Sequence, residues 1–156
     1  MTVNMILRLI SSEEHLTINA VDGKSTIARA KDVFKSGIDN DFKDWNTDTK
    51  SIATEKTAVN VYEMISDATF PQMFNSLSPD LDKLCLTQSQ IINFCTKHPG
   101  WLRQDGYATF FMFKVNGEYF VVFVLVLGDG LYARVRRFEY VDIWRGSDHR
   151  HVVVPL

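Results

Sequence analysis

The sequence is poor in the residue patterns that usually announce chemistry. It has two cysteines in 156 residues, Cys85 and Cys95, and their spacing fits neither a CxxC redox motif nor a zinc ribbon. Cys95 lies in an apolar helical stretch and Cys85 among leucines, so both are expected as buried free thiols. The formal net charge of −2 gives no global electrostatic case for binding nucleic acid or an anionic membrane. The longest apolar run, Tyr119 to Leu127, falls far short of the roughly 20 residues a membrane helix needs. The N-terminal MTVNMILRLISSEEH lacks the basic region and small-residue cleavage site of a signal peptide. A cytoplasmic protein with no membrane partner is therefore expected. No G-x-S-x-G, G-x-G-x-x-G, H-E-x-x-H or EF-hand loop occurs. No catalytic residue, metal ligand set or cofactor is expected on these grounds.

One segment comes close to a motif. Asp22-Gly23-Lys24-Ser25-Thr26 follows a strand-like stretch and precedes a helical one, the place of a phosphate-binding loop. The P-loop pattern needs a first glycine where Ile18 stands. Without it there is no wide loop to wrap phosphates, and a glycine turn with a hydroxyl cap is the simpler reading.

What the chain does have is apolar strand. Hydrophobic residues make up 46%, with eleven Phe, five Tyr and three Trp, enough for one substantial core. From Gly106 to Phe138 two turn dipeptides, Asn116-Gly117 and Asp129-Gly130, divide three strand-like segments, the strongest short-range hairpin signal. The middle segment, Glu118 to Leu127, is apolar at both parities, so it must be covered on both faces. The Thr87–His98 helix is one expected cover. The N-terminal unit, closure into a barrel or a second subunit would supply the other.

Elsewhere, Met5–Ile10 and Leu16–Val21 read as strands. The apolar stripe Ile27, Ala30, Val33 and Phe34 predicts a helix over Thr26–Ser36, and Phe42 and Trp45 sit three apart in a further turn. Val59–Met64 reads as a strand and Thr69–Leu77 as a helix with Pro71 in its first turn. Thr87 and Gln90 form a capping box for the helix through His98, with Leu86 and Ile91 as a hydrophobic staple. The expected fold is α+β: an antiparallel C-terminal β-meander with clustered helices, preceded by a small ββα N-terminal unit. That unit spans 1–45 and packs on the rest, 46–58 is a polar linker, and 59–156 is an α+β domain with an antiparallel sheet.

Two polar groups are candidate sites. On the third meander strand, Leu131, Ala133, Val135 and Arg137 point one way, and Tyr132, Arg134, Arg136 and Phe138 the other. The arginines with Tyr132 could bind phosphate, nucleic acid or an acidic protein, or simply keep an edge strand soluble. Residues 101–156 hold seven Lys/Arg against six Asp/Glu, which favours the solvated edge. The second group is Asp148-His149-Arg150-His151. If extended, His149 and His151 share a face and could bind a metal or exchange protons, but no third ligand is nominated, and His15 and His98 are isolated.

The stretches DGKSTIARAKDVF, VNVYEMISDATFPQMFNSL, LDKLCLTQSQIINFC, HPGWLRQDGYATFFMFKV and HVVVPL resemble a group of uncharacterised hypothetical proteins of uncultured bacteria. The resemblance runs from about Ile18 onward. That group has no established activity, so it implies no substrate, cofactor or catalytic residue. Its members end in R-H-R-V-V-V-P where this chain has His149-Arg150-His151-Val-Val-Val-Pro155, which makes an Arg/His rim the shared theme rather than a histidine metal site.

Three functional expectations follow. The first is a non-enzymatic binding or assembly module, with a homo-oligomer as one form. The second is a nucleic-acid-binding protein using Tyr132, Arg134, Arg136, Arg137 and Arg150. The third is a metal-dependent hydrolase at the His149/His151 end.

Overall fold

A computed structural model describes residues 4–156. Its centre is the meander: β5 (Ala108–Val115), β6 (Glu118–Leu127) and β7 (Gly130–Arg137), joined antiparallel. Asn116 and Gly117 both take positive φ, 51° and 79°, the conformation a two-residue hairpin turn with this dipeptide adopts. The second turn is shifted by one residue from the dipeptide reading. Its loop is Gly128–Asp129, and Gly130 already pairs with Leu127.

Around the meander the sheet grows to eight strands in the described residues, in the order β1-β4-β8-β5-β6-β7-β3. Here β1 is Leu7–Leu9, β3 Gly37–Ile38, β4 Thr57–Met64 and β8 His151–Pro155, while β2, Thr17–Ile18, pairs with β4 outside that path. The sheet is mostly antiparallel but mixed, because β8 runs parallel to β5 and β3 parallel to β7. The chain's last strand is thus inserted between β4 and β5, and the purely antiparallel expectation fails there. The ββα expectation also changes. β1 and β2 do not pair with each other; they pair with opposite ends of β4. Instead of a helix over 26–36 there is one 3-10 turn at Ile27–Arg29, ended by Ala30 at φ −88° and ψ 54°.

The two helices with capping boxes form where expected. In α2 (Phe70–Asn75) Thr69 and Gln72 exchange bonds, and in α3 (Gln88–Lys97) Thr87 and Gln90 do so at 2.9 and 3.1 Å. Such a cap satisfies two amide groups that would otherwise lack partners. Leu86 and Ile91, the staple pair, are both buried. The short α1 (Asp41–Asp44) buries Phe42 and leaves Trp45 half-exposed at its end.

β6 separates two cores. On one face Phe120, Val122 and Val124 pack with Ile91 and Phe94 of α3 and with Ile27, Phe34 and Phe42 of the N-terminal segment. On the other, Val121 and Phe123 pack with Phe70, Met73 and Phe74 of α2 and with Phe138, Tyr140 and Trp144 after β7. The N-terminal residues therefore share a face with α3, and α2 with the 138–144 segment covers the other. The chain supplies both covers itself, so the apolar strand by itself no longer requires a second subunit. In the 46–58 segment Thr47 is buried, and its carbonyl accepts from Gln88 Nε2 at 2.7 Å. No helix of the described residues is long and apolar enough to cross a membrane.

Candidate binding surface at the edge of the sheet

The alternation along β7 follows the sequence. Ala133 and Val135 are buried in the core that faces α3, and Phe138 lies in the opposite one. Arg134 and Arg136 share Phe138's parity, and Arg137 takes the other. Each arginine lies over a ring. Arg134 and Arg136 lie 5.9 and 5.6 Å from the Phe123 centroid, and Arg136 also 5.5 Å from Tyr140. Arg137 lies 4.7 Å from the Trp45 centroid and 5.6 Å from Phe120. A guanidinium over an aromatic face keeps its N–H rim free for in-plane partners while its methylenes cover apolar surface. The partners are Asp39, with Oδ2 3.6 Å from Arg136 Nη1, and Glu118, with Oε2 3.2 Å from Arg137 Nη1. Arg134 has no carboxylate in ion-pair reach among the described residues.

β3 covers only part of the β7 edge. Gly37 and Ile38 pair with Tyr132 and Ala133, and the Asp39 amide donates to Ala133 O at 2.9 Å. Beyond that point the chain turns into α1, held by the Asp41 amide donating to Asp39 Oδ1 at 3.0 Å. Among the described residues no strand pairs with the outer side of the Arg136–Arg137 end, and the main-chain groups there are met locally: the Val135 amide donates to Asp39 Oδ2 at 3.5 Å, Arg136 Nη1 donates to Val135 O at 2.8 Å and the Tyr140 amide donates to Arg137 O at 3.0 Å. An open slot of about 370 Å³ lies there, lined by Asp41, Trp45, Arg136, Arg137 and Tyr140. Next to Tyr140 in the chain, Val141 and Ile143 are 80% and 68% exposed. The slot brings two of the sequence candidates together. Arg134 lies outside its lining, and Tyr132 is half-buried, packed on Gly37, where an added Cβ would meet its ring at 2.7 Å. Trp45, Asp39 and Tyr140 come from outside the stripe. Only the Phe42/Trp45 spacing hinted at one of them.

The second candidate group lies elsewhere. β8 and β7 are separated by β5 and β6, about three strand spacings or ~14 Å. Arg150 is clamped between chemistry of its own: Asp148 at 3.0 Å, and the Tyr107 and Trp144 rings at 5.2 and 5.0 Å. Arg103 donates to Asp148 O at 3.1 Å and sits 5.2 Å from the same Tyr107 ring. His149 is not extended; it takes φ 51°. Its Nδ1 donates to Met64 O at 2.9 Å, and His151 Nδ1 donates to Trp101 O at 2.9 Å. The two rings are thus oriented by carbonyls from different segments. Among the described residues no three His, Cys, Asp or Glu side chains come together as a metal-holding group.

Burial holds the His151 imidazole below its usual value of 6.5; Arg103 and His149 push the same way, while its bond to Trp101 O and the charge of Glu63 oppose them. The unfolded chain then takes up this proton before the folded one does, so stability falls as pH drops through 6.5 and levels off once the folded ring protonates. His151→Asn keeps an N–H for the Trp101 carbonyl but cannot titrate. Its urea midpoint is expected to depend less on pH below 6.5 than that of the parent protein, and equal slopes would refute the assignment.

Both thiols are unreactive by environment. Burial first and then the Asp82 charge push Cys85 up to about 12, and burial alone pushes Cys95 higher still, far from the thiolate a nucleophile needs.

No protein-family model matches the chain, and no curated protein or solved structure is similar to it.

Proposed function

We propose that this protein is a non-enzymatic binding module that engages an acidic segment of a partner through the open end of β7. The observation that supports this reading most is the slot at Arg136 and Arg137. Two guanidiniums, each held over aromatic faces, border one open slot together with Trp45 and Tyr140. A segment bearing carboxylates would exchange places with Glu118 on Arg137 and set an apolar residue against Trp45 and Tyr140. The overall charge of −2 and the acid already beside each slot arginine favour a short acidic ligand over a long polyanion.

The test is retention of the full-length protein on an immobilised poly-glutamate peptide and, separately, on a single-stranded oligonucleotide. Arg137→Glu is expected to weaken peptide binding about tenfold, and Arg134→Glu to leave it nearly unchanged. Retention on the oligonucleotide alone would favour the nucleic-acid reading and overturn this one. Light scattering at high concentration separates out self-association: a dimer dissolved by Arg137→Glu would make a second copy the occupant.

A further inference from the structure

On the other side of α1 from the slot lies a second concavity, of about 330 Å³. We propose that it is a binding site for a small organic anion carrying at least two negative charges on an apolar or planar body. The floor is apolar. Ala28 and Phe34 are 3% and 2% exposed, and Ile38 of β3 lines one side. The rim is cationic. Lys31 and Lys35, from the turns that lead into β3, and Lys43, from α1, border the same space. All three are exposed, and none has a carboxylate in ion-pair reach among the described residues.

The one carboxylate in the lining is already committed elsewhere. Asp39 Oδ1 accepts from the Asp41 amide at 3.0 Å, while Oδ2 faces Arg136 Nη1 at 3.6 Å and the Val135 amide at 3.5 Å. Its charge is spent on β7 and the start of α1; Lys43 also feels Asp48 on its far side, while Lys31 and Lys35 have no carboxylate in ion-pair reach among the described residues. That differs from the slot, where each arginine has its own acid. Three like charges converging on one concavity repel each other, and a multivalent anion relieves all three pairings at once. The volume is at the lower end for small-molecule sites, which run from about 300 Å³. β3 is the terminal strand of the sheet, so no further strand closes the site from outside. This inference is independent of the acidic-segment reading, because none of the lysines lines the slot.

The experiment is a titration of ¹⁵N-labelled full-length protein with inorganic pyrophosphate and with AMP, which adds a planar body to the phosphate. Saturable shifts are expected at the Gly37–Asn40 and Lys43 amides, with AMP bound at least as tightly as pyrophosphate. Each of Lys31→Gln, Lys35→Gln and Lys43→Gln is expected to weaken binding roughly fivefold, and the triple variant to abolish it. These side chains are exposed, so the rest of the spectrum should be unchanged. Lys83→Gln, outside the lining, should bind as the parent does. The proposal fails if neither probe shifts these amides, or if Lys83→Gln weakens binding as much as the pocket variants. Pyrophosphate binding without AMP binding would overturn the apolar-floor part and leave only a charge site.

Discussion

Phe110→Ala is expected to destabilise the protein by about 3–5 kcal/mol, the range for deleting a large aromatic from a close-packed core. Phe110 lies in the middle of β5 and is fully buried. Its ring centroid is 5.1 Å from that of Phe70 on α2, 5.7 Å from Phe123 on β6 and 5.1 Å from Trp144. One side chain therefore joins the sheet to both pieces that cover this face. Collapse into the cavity is hindered because its neighbours are themselves locked: Phe123 and Trp144 sit 5.3 Å apart, and Phe70 and Trp144 5.4 Å apart. Chemical denaturation with an unchanged m-value checks the magnitude. A loss under 1 kcal/mol would mean that the face relaxes freely. The variant also bears on function. Tyr140, a wall of the slot, is 6.3 Å from Phe70 and 6.5 Å from Trp144, so Phe110→Ala should loosen the slot. Phe111→Ala, on the opposite face against Phe94 at 5.5 Å, should cost a similar amount of stability and leave binding at the slot intact.

The contrast between these two phenylalanines also marks what was legible in the sequence. That β5 and β6 carry apolar residues at both parities could be read directly, because strand alternation is local. The same holds for the capping box at Thr87, whose partner Gln90 is three residues away. What covers each face was not local. Residues 138–144 show no period, yet Tyr140 and Trp144 form much of one cover, and only the tertiary path places them there. The spacing of Ile27, Ala30, Val33 and Phe34 fits a helix. The chain instead takes a single 3-10 turn, because it must bury Ile27 and Phe34 and still deliver Gly37–Ile38 to the β7 edge, and packing overrides propensity. The insertion of β8 beside β5 in parallel is a pairing across more than 40 residues, for which adjacent sequence carries no signal. The slot inherits this limit. Arg136 and Arg137 were visible as a stripe, but which arginines matter depends on where β3 stops.

Gly23→Ala is expected to cost about 2–5 kcal/mol, for reasons the phosphate-loop reading of Asp22–Thr26 would not supply. Gly23 sits at φ +79°, where an L-residue pays about 1–2 kcal/mol. An added Cβ would lie 2.2 Å from Ile52 O and 2.5 Å from Ser51 O, and forcing atoms into packed backbone typically costs a further 1–3 kcal/mol. The glycine is there for a close approach between chain segments. The Ser51 amide donates to Gly23 O at 2.9 Å, and Val21 and Thr54 exchange bonds at 3.0 and 2.9 Å. The rest of the pentapeptide is committed too: Lys24 N–H caps Asp22 Oδ1 at 2.9 Å, and the Thr26 hydroxyl donates to Asp48 at 2.5 Å. The Ser89 hydroxyl donates to Ser25 O at 2.9 Å. If the segment were a phosphate loop, Gly23→Ala would abolish nucleotide binding and Lys24→Ala would do the same at little cost in stability. If it is the buttress described above, Gly23→Ala destabilises the fold and frees residues 49–54, seen as faster amide exchange there, while Lys24→Ala changes neither stability nor AMP affinity. A stable Gly23→Ala protein with normal exchange at 49–54 would overturn the buttress.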